Sequence, residues 1–331
     1  MGNSLGRQIN RLDNLHIAIL GSFCQSGFGC GTLQVYHNET GALMARYELS
    51  DEHYLLIEPF LPMNDGKVGH PYDPHRPILN GIFWRLHAGA AWPDIPERYG
   101  NWKTIYDRYT SWRRSGIWDR ILKVLQTNLD AQGAIDWEQW SLDGTIVRAH
   151  RVAAGAEKSG PDGEAEPANH ALGRSVGGFS TKIHLLSDGN GIPLDACLTP
   201  GQTHESTQVE TVMEHVAIER ASGRVRRRPR RLAADRAYDA QRIRHFLRLR
   251  GIKPIIPPKQ RKGKRKRGRP IGYDREQYRR RSGIEQCVGW LKECRAVATR
   301  YEKLALNYLG LVKLAFIERY LRLLTRAVVP T

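Results

Sequence analysis

Three carboxylates, Asp143, Asp235 and Glu285, stand in local sequences that favour chemistry. Asp143 interrupts the strand-like run Ser141-Leu142-Asp143-Gly144-Thr145-Ile146-Val147-Arg148, and Asp235 closes the apolar run Leu232-Ala233-Ala234. An acid in or at the end of a buried strand is costly unless it is paired or binds a cation. Either aspartate alone would equally suit a turn cap or a pair with Arg236. Glu285 lies in a segment predicted as helix, where Ile284, Cys287, Val288, Leu291 and Cys294 form one apolar stripe. Tyr278, Arg281, Glu285 and Lys292 form a second stripe, although a solvated salt-bridge face would share that pattern. Phosphoryl transfer accounts for all three acids together. Two divalent ions about 3.5–4 Å apart activate an attacking oxygen and stabilise a leaving one. Hard oxygen ligands suit Mg2+ or Mn2+. Arg281 and Lys292 would then grip phosphates beside the reacting one. The sequence has neither a Walker loop nor a Gly-x-Ser-x-Gly elbow.

The elements that must position these acids change character along the chain. Residues 1–43 have no helical or strand period and read as an irregular extension, with Met44 as the expected natural start. Residues 44–133 read as helices. Ser50 suits the N-cap of a helix over Asp51–Phe60, and Ile78, Leu79, Ile82, Phe83 and Leu86 mark a second helix. Ile105, Tyr109 and Trp112 share one face of a third, flanked by Lys103, Arg108, Arg113 and Arg114. Such helices fit a DNA-binding unit, with the tryptophans as core. Residues 134–331 read as α/β. Strands are expected over Trp140–Arg148, Thr181–Leu186, Ile192–Thr199, Arg231–Asp235 and Ile252–Pro257. Helices are expected over Glu205–Arg220, Ala240–Arg250, Asp274–Arg295 and Lys303–Thr325, with a mobile loop over 153–178. A meander followed by strand–helix units predicts a mixed sheet.

Composition narrows the partner. The chain has 331 residues, 40% of them hydrophobic, and 51 Lys plus Arg against 34 acids, a net charge of +17. That excess favours a polyanion through phosphate neutralisation and counterion release. Five scattered cysteines form no Cys-x-x-Cys pair, which argues against a zinc ribbon and suits a reducing compartment. With no long apolar run and no signal-like N-terminus, the expected location is cytoplasmic, on the nucleoid, and not a membrane.

The motifs resemble those of bacterial insertion-sequence transposases of the Asp-Asp-Glu class, in the insertion sequence four/five superfamily and the group of insertion sequence five. The most specific likeness is the Tyr-two-Arg-three-Glu-six-Lys signature, met here by Tyr278, Arg281, Glu285 and Lys292. Leu-Asp-Gly-Thr around Asp143 and Ala-Asp-Arg-Ala-Tyr-Asp around Asp235 resemble the first and second acid motifs. Gly173–Gly178 with Thr181–His184, and Pro200–Glu205, are weaker matches. The likeness runs from about Met44 to the C-terminus, and residues 1–43 depart from it. It implies an RNase H-like catalytic domain over 134–331 behind the helical domain. Asp143, Asp235 and Glu285 would be the catalytic metal ligands, holding two Mg2+ or Mn2+ ions per site. It also implies double-stranded DNA partners, terminal inverted repeats and target DNA, with hydrolysis at the element ends and attack of the freed 3′-hydroxyl on target. A homodimer or higher oligomer on DNA is expected.

Candidate DNA contacts are Tyr278, Arg281, Lys292, Lys182 and Arg236, together with Lys264, Arg265, Lys266 and Arg267. The last four belong to Lys259–Arg269, where eight of eleven residues are basic, and Arg224–Arg231 is a second basic run. Mobile basic loops bind backbone phosphate without reading sequence. Two other classes fit part of the pattern: a DNA-binding regulator with a decayed catalytic domain, and a metal-dependent nuclease that cannot join strands.

Overall fold

The structure is a computed structural model, and it describes residues 47–63, 73–155, 166–220, 222–259 and 272–326. Residues 1–43, most of the Lys259–Arg269 run and part of the expected 153–178 loop lie outside them.

The first half of the described chain is helical. Ser50 caps α1 (Asp51–Ile57), its Oγ accepting from the His53 amide at 3.2 Å. Pro59 then tightens the chain into a 3-10 turn over Glu58–Phe60. Helices α2 (His75–Ala88), α3 (Trp102–Arg114) and α4 (Ile117–Ala131) follow. Gly116, at φ +70°, makes the sharp link between α3 and α4. Ile105, Tyr109 and Trp112 are all buried, as their spacing predicts, and Trp118 joins them.

Strands β1 (Gln139–Ala149), β2 (Gly173–Ser175), β3 (Gly178–Asp188) and β4 (Pro193–Pro200) come next. They precede α5 (Val209–His215), a short β5–β6 hairpin (Ile218–Glu219 and Val225–Arg226), β7 (Arg231–Ala234), α6 (Gln241–Leu249) and β8 (Lys253–Ile255). The main sheet runs β4-β3-β1-β7-β8, with β2 also on β3. β1, β3 and β4 are antiparallel neighbours, whereas β7 and β8 run parallel to β1 and to each other. This mixed order is the expected RNase H-like α/β arrangement.

The last elements are α7 (Arg275–Arg279), α8 (Ser282–Glu293), α9 (Arg295–Ala298), β9 (Thr299–Arg300) and α10 (Ala305–Arg326). Two expectations are corrected here. The predicted helix over Asp274–Arg295 breaks at Arg280–Arg281. Gly283 there packs against the Gly189–Gly191 turn, and a Cβ on Gly191, at φ +77°, would lie 2.8 Å from the Gly283 carbonyl. The predicted helix over Glu205–Arg220 is shorter, because Ile218–Glu219 is drawn into the β5–β6 hairpin.

The helices before Gly133 and the sheet after it share one hydrophobic core, within a single compact unit over Ala45–Thr331. Tyr109 donates to the Asn307 carbonyl at 2.5 Å, and Gln126 Nε2 donates to the Leu194 carbonyl at 2.7 Å and to the Tyr320 hydroxyl at 3.0 Å. Arg85 on α2 pairs with Glu302 before α10, both almost wholly buried. Position 133 is thus a change of secondary structure and not a gap in packing.

Candidate active site

The sheet is locally incomplete where the acids gather. β7 pairs with β1 from Gln139↔Arg231 to Leu142↔Ala234, and β9 pairs with the same edge only at Arg148 and Ala149. Between them, from Asp143 to Val147, that edge of β1 has no strand partner among the described residues. Asp143 and Asp235 each follow directly on the last β1–β7 pair, so parallel register alone sets them side by side at the mouth of this notch.

Each acid is fixed by its own backbone. Asp143 Oδ1 accepts from the Gly144 amide at 3.0 Å. Asp235 caps the 3-10 turn Arg236–Tyr238, its Oδ1 accepting from the Ala237 amide at 2.8 Å. Glu285 comes from the first turn of α8. Arg281 stands between them, with its guanidinium 2.9 Å from Asp143 Oδ2 and 2.5 Å from Glu285 Oε1. Its side chain is only 12% exposed, whereas that of Glu285 is 60% exposed, so the arginine lies beneath the glutamate.

The electrostatics match this crowding. Burial pushes the Asp143 carboxyl above its ordinary value; Arg281 and the Gly144 amide oppose that, and Asp235 adds to it. Burial works against the Arg281 charge, yet Asp143, Tyr278, Glu285 and Asp235 more than offset it and hold its pKa above normal. Tyr238 is fully buried, and its hydroxyl has no hydrogen-bond partner among the described residues. Its acidity is suppressed by burial first, then by Glu205, Asp143 and Asp235.

The donors fit a hard divalent cation in kind, with carboxylate oxygens and an unsatisfied buried hydroxyl, while Arg281 now supplies the positive charge between two of the acids. The three acids do not offer one oxygen each within 4.8 Å of one another. The group of ligand-type residues that does so among the described residues is His87, Cys294 and Glu318. There Glu318 is bonded by His87 and Arg322, which already meets its charge.

The other candidates fall in different places. Glu285 and Lys292 lie on one face of α8, two turns apart, and Lys292 is exposed. Tyr278 sits on the separate helix α7, half-buried and edge-on to Tyr273. Arg236 is exposed beside Asp235. Lys182 is buried, and its Nζ donates to the Thr203 carbonyl at 2.8 Å and to Glu205 Oε1 at 3.4 Å, so its charge is spent within the protein. Lys264, Arg265, Lys266 and Arg267 lie outside the described residues. Glu205 was given no role by its sequence context beyond a weak motif, yet it lies beside the acids.

Residues 49–122 match the family model described as a putative transposase of the IS4/5 family, and residues 139–317 match that described as a transposase DDE domain. The uncharacterized protein y4sN of Sinorhizobium fredii (strain NBRC 101917 / NGR234) is 36% identical over 112 residues, covering 34% of this chain and 84% of that protein. The putative transposase for insertion sequence element IS402 of Burkholderia cepacia is 33% identical over 126 residues, covering 38% of this chain and 55% of its own length. Among solved structures, a Mos1 transposase paired-end complex aligns with 57% of this chain and 61% of its own, at 11% identity and a TM-score of 0.19.

Proposed function

Because this chain belongs to the IS4/5 transposases with a DDE catalytic domain, we propose that it binds the terminal inverted repeats of an insertion sequence, cleaves at the element ends and joins the 3′-hydroxyl to target DNA. The observation that carries this reading is that Arg281 joins Asp143 to Glu285 at a notch in the sheet where parallel register sets Asp235 beside Asp143. Asp143, Asp235 and Glu285 would hold Mg2+ or Mn2+ ions, two per site. Ions of that kind activate an attacking oxygen and offset charge on a leaving one.

The chain's own residues do the rest. Arg281 neutralises Asp143 and Glu285 and holds both near the notch. On binding DNA it would turn its planar guanidinium to a phosphate beside the cleaved bond. Lys292 and Tyr278 flank Glu285 and would position the strand, with Arg236 on the Asp235 side. The basic run that includes Lys264, Arg265, Lys266 and Arg267 would track backbone phosphate nearby. Work on two element ends calls for a homodimer or higher oligomer on DNA. No helix among the described residues is long and apolar enough to cross a membrane, in keeping with a cytoplasmic, nucleoid-bound protein.

The test is a strand-transfer assay with precut inverted repeats, target duplex and Mg2+ or Mn2+. Joined products are expected, and Asp143→Asn should abolish cleavage and joining while DNA binding persists. Nicks without joining would point to a nuclease, and binding without cleavage to a regulator. An active Asp143→Asn protein would overturn the assignment of the site.

A further inference from the structure

One face of β1 leads away from the acids and stays open. Ile146, Arg148 and His150 alternate onto it and are exposed, while Thr145, Val147 and Ala149 between them are buried. Ile146, 54% exposed, is an apolar side chain left bare only three residues from Asp143.

The far end of this path is built. β9 pairs with β1 at Arg148↔Thr299 and Ala149↔Arg300, and the His150 amide donates to the Arg300 carbonyl at 2.8 Å. That register brings Tyr301 onto His150, ring on ring, with centroids 5.1 Å apart and planes 26° from parallel. Tyr301 nevertheless stays 46% exposed. The 3-10 turn Arg151–Ala154 follows, and Lys303 lies against its end, since a Cβ on Gly155 would stand 3.8 Å from the Lys303 ammonium. A flat aromatic pair is thus held at the surface with cations beside it.

Charge selects the occupant. Arg148, Arg151 and Lys303 are exposed, and none has an ion pair among the described residues. From Gly144 to Gly155 and from Thr299 to Lys303 the only acid is Glu302, which is buried against Arg85. A nucleic-acid strand meets both features at once, with phosphates for the cations and base faces for the rings. A duplex hides its base faces within the stack, so the rings favour an unpaired strand. His150 stands seven residues beyond Asp143, about 23 Å along an extended chain. About seven stacked nucleotides cover that length.

We infer that this face of β1 guides an unpaired strand of the DNA end away from the notch. Its bases stack on the Tyr301–His150 pair, and its phosphates lie on Arg148, Arg151 and Lys303. The inference deepens the transposase reading and rests on it for a DNA end at Asp143.

The test is fluorescence anisotropy of the intact protein with a labelled oligothymidylate and with a duplex of the same length, without divalent metal. Tyr301→Ala should weaken the oligothymidylate about fivefold or more and leave duplex affinity as in wild type. Tyr301→Phe, which keeps the ring, should bind as wild type does. Tyr301→Leu should lose affinity like Tyr301→Ala, and it keeps the test sound if the smaller side chain unsettles the fold. Replacing Arg148 and Arg151 with Gln should lower the salt slope for oligothymidylate by about 0.7 for each cation removed. Unchanged oligothymidylate affinity in Tyr301→Ala and Tyr301→Leu would overturn the inference. Equal losses on oligothymidylate and duplex would also overturn it, leaving an ordinary backbone surface, and preferential binding of polyglutamate would assign the face to an acidic protein. The strand-transfer assay separates the two readings. A wild type that joins ends while Tyr301→Ala keeps its oligothymidylate affinity loses this inference alone. A wild type that neither cleaves nor joins, yet binds oligothymidylate through Tyr301, loses the transposase reading and keeps the strand-binding face.

Discussion

Gly144→Ala is the smallest change that tests the close approach of Glu205 to β1. The added methyl would meet Glu205 at 2.8–3.0 Å, whereas carbon atoms rest about 3.5–4.0 Å apart. Something must yield. β1 cannot, because it is paired with β3 from Trp140↔Asp188 to Arg148↔Ser180 and with β7 up to Leu142. The Glu205 side chain is the softer partner, so it should swing away and leave Lys182 only the Thr203 carbonyl. Because a flexible end gives way, the cost should fall at the low end for overpacking, about 1–2 kcal/mol. For a unit of this size that is a fall of about 2–8 °C in Tm. The assay is a double-mutant cycle in urea with Gly144→Ala, Glu205→Ala and both together. Removing Glu205 removes the clash, so the double variant should be more stable than the sum of the singles by about 1 kcal/mol. Strict additivity would refute the close approach of Glu205 to β1.

Two further expectations concern the frame. Arg85 and Glu302 are 4% and 5% exposed, so Glu302→Gln, which leaves a buried guanidinium uncompensated, should cost about 3–5 kcal/mol; an unmoved urea midpoint would count against this. His184 donates to or accepts from Thr199 Oγ1 at 2.7 Å, and burial first, then Lys182, lower its pKa from 6.5 to about 4. The folded value lies below the unfolded one, so this stability is present above pH 6.5 and is lost as pH falls toward 4. Comparing wild type with His184→Gln at pH 7.5 and 5.0, the wild type should lose about 2 kcal/mol more, and equal losses would sink the argument.

Much of the site was legible because its clues are local. Asp143 and Asp235 each follow an apolar strand segment, and two parallel strands in register necessarily bring such ends together. Glu285 and Lys292 share a helix face because of helical periodicity alone. The rest depends on contacts between distant segments. Lys182 alternates correctly along β3, yet alternation cannot tell an outer face from one covered by the Thr203–Glu205 segment. Glu205 closes a weak motif and opens an expected helix, and neither context points to β1. The glycine beside Asp143 was the available signal, since a glycine within a strand marks the close approach of another group. Tyr278 reads as part of the Glu285 helix because Tyr278, Arg281, Glu285 and Lys292 fall at helical spacing, whereas the helix breaks at Arg280–Arg281, next to Gly283 packed on the Gly189–Gly191 turn.

The shared core has a consequence for how the chain is made. Tyr109 leaves the ribosome early, but Asn307 and Gly310 of α10, which pack against it, are synthesised nearly two hundred residues later. Contacts so distant in sequence are slow to form and leave apolar surface uncovered in the interim. The nascent helices α2, α3 and α4 should therefore depend on chaperones until α10 emerges. A product truncated before Ala305 should be recovered as aggregate and not as a working DNA-binding fragment.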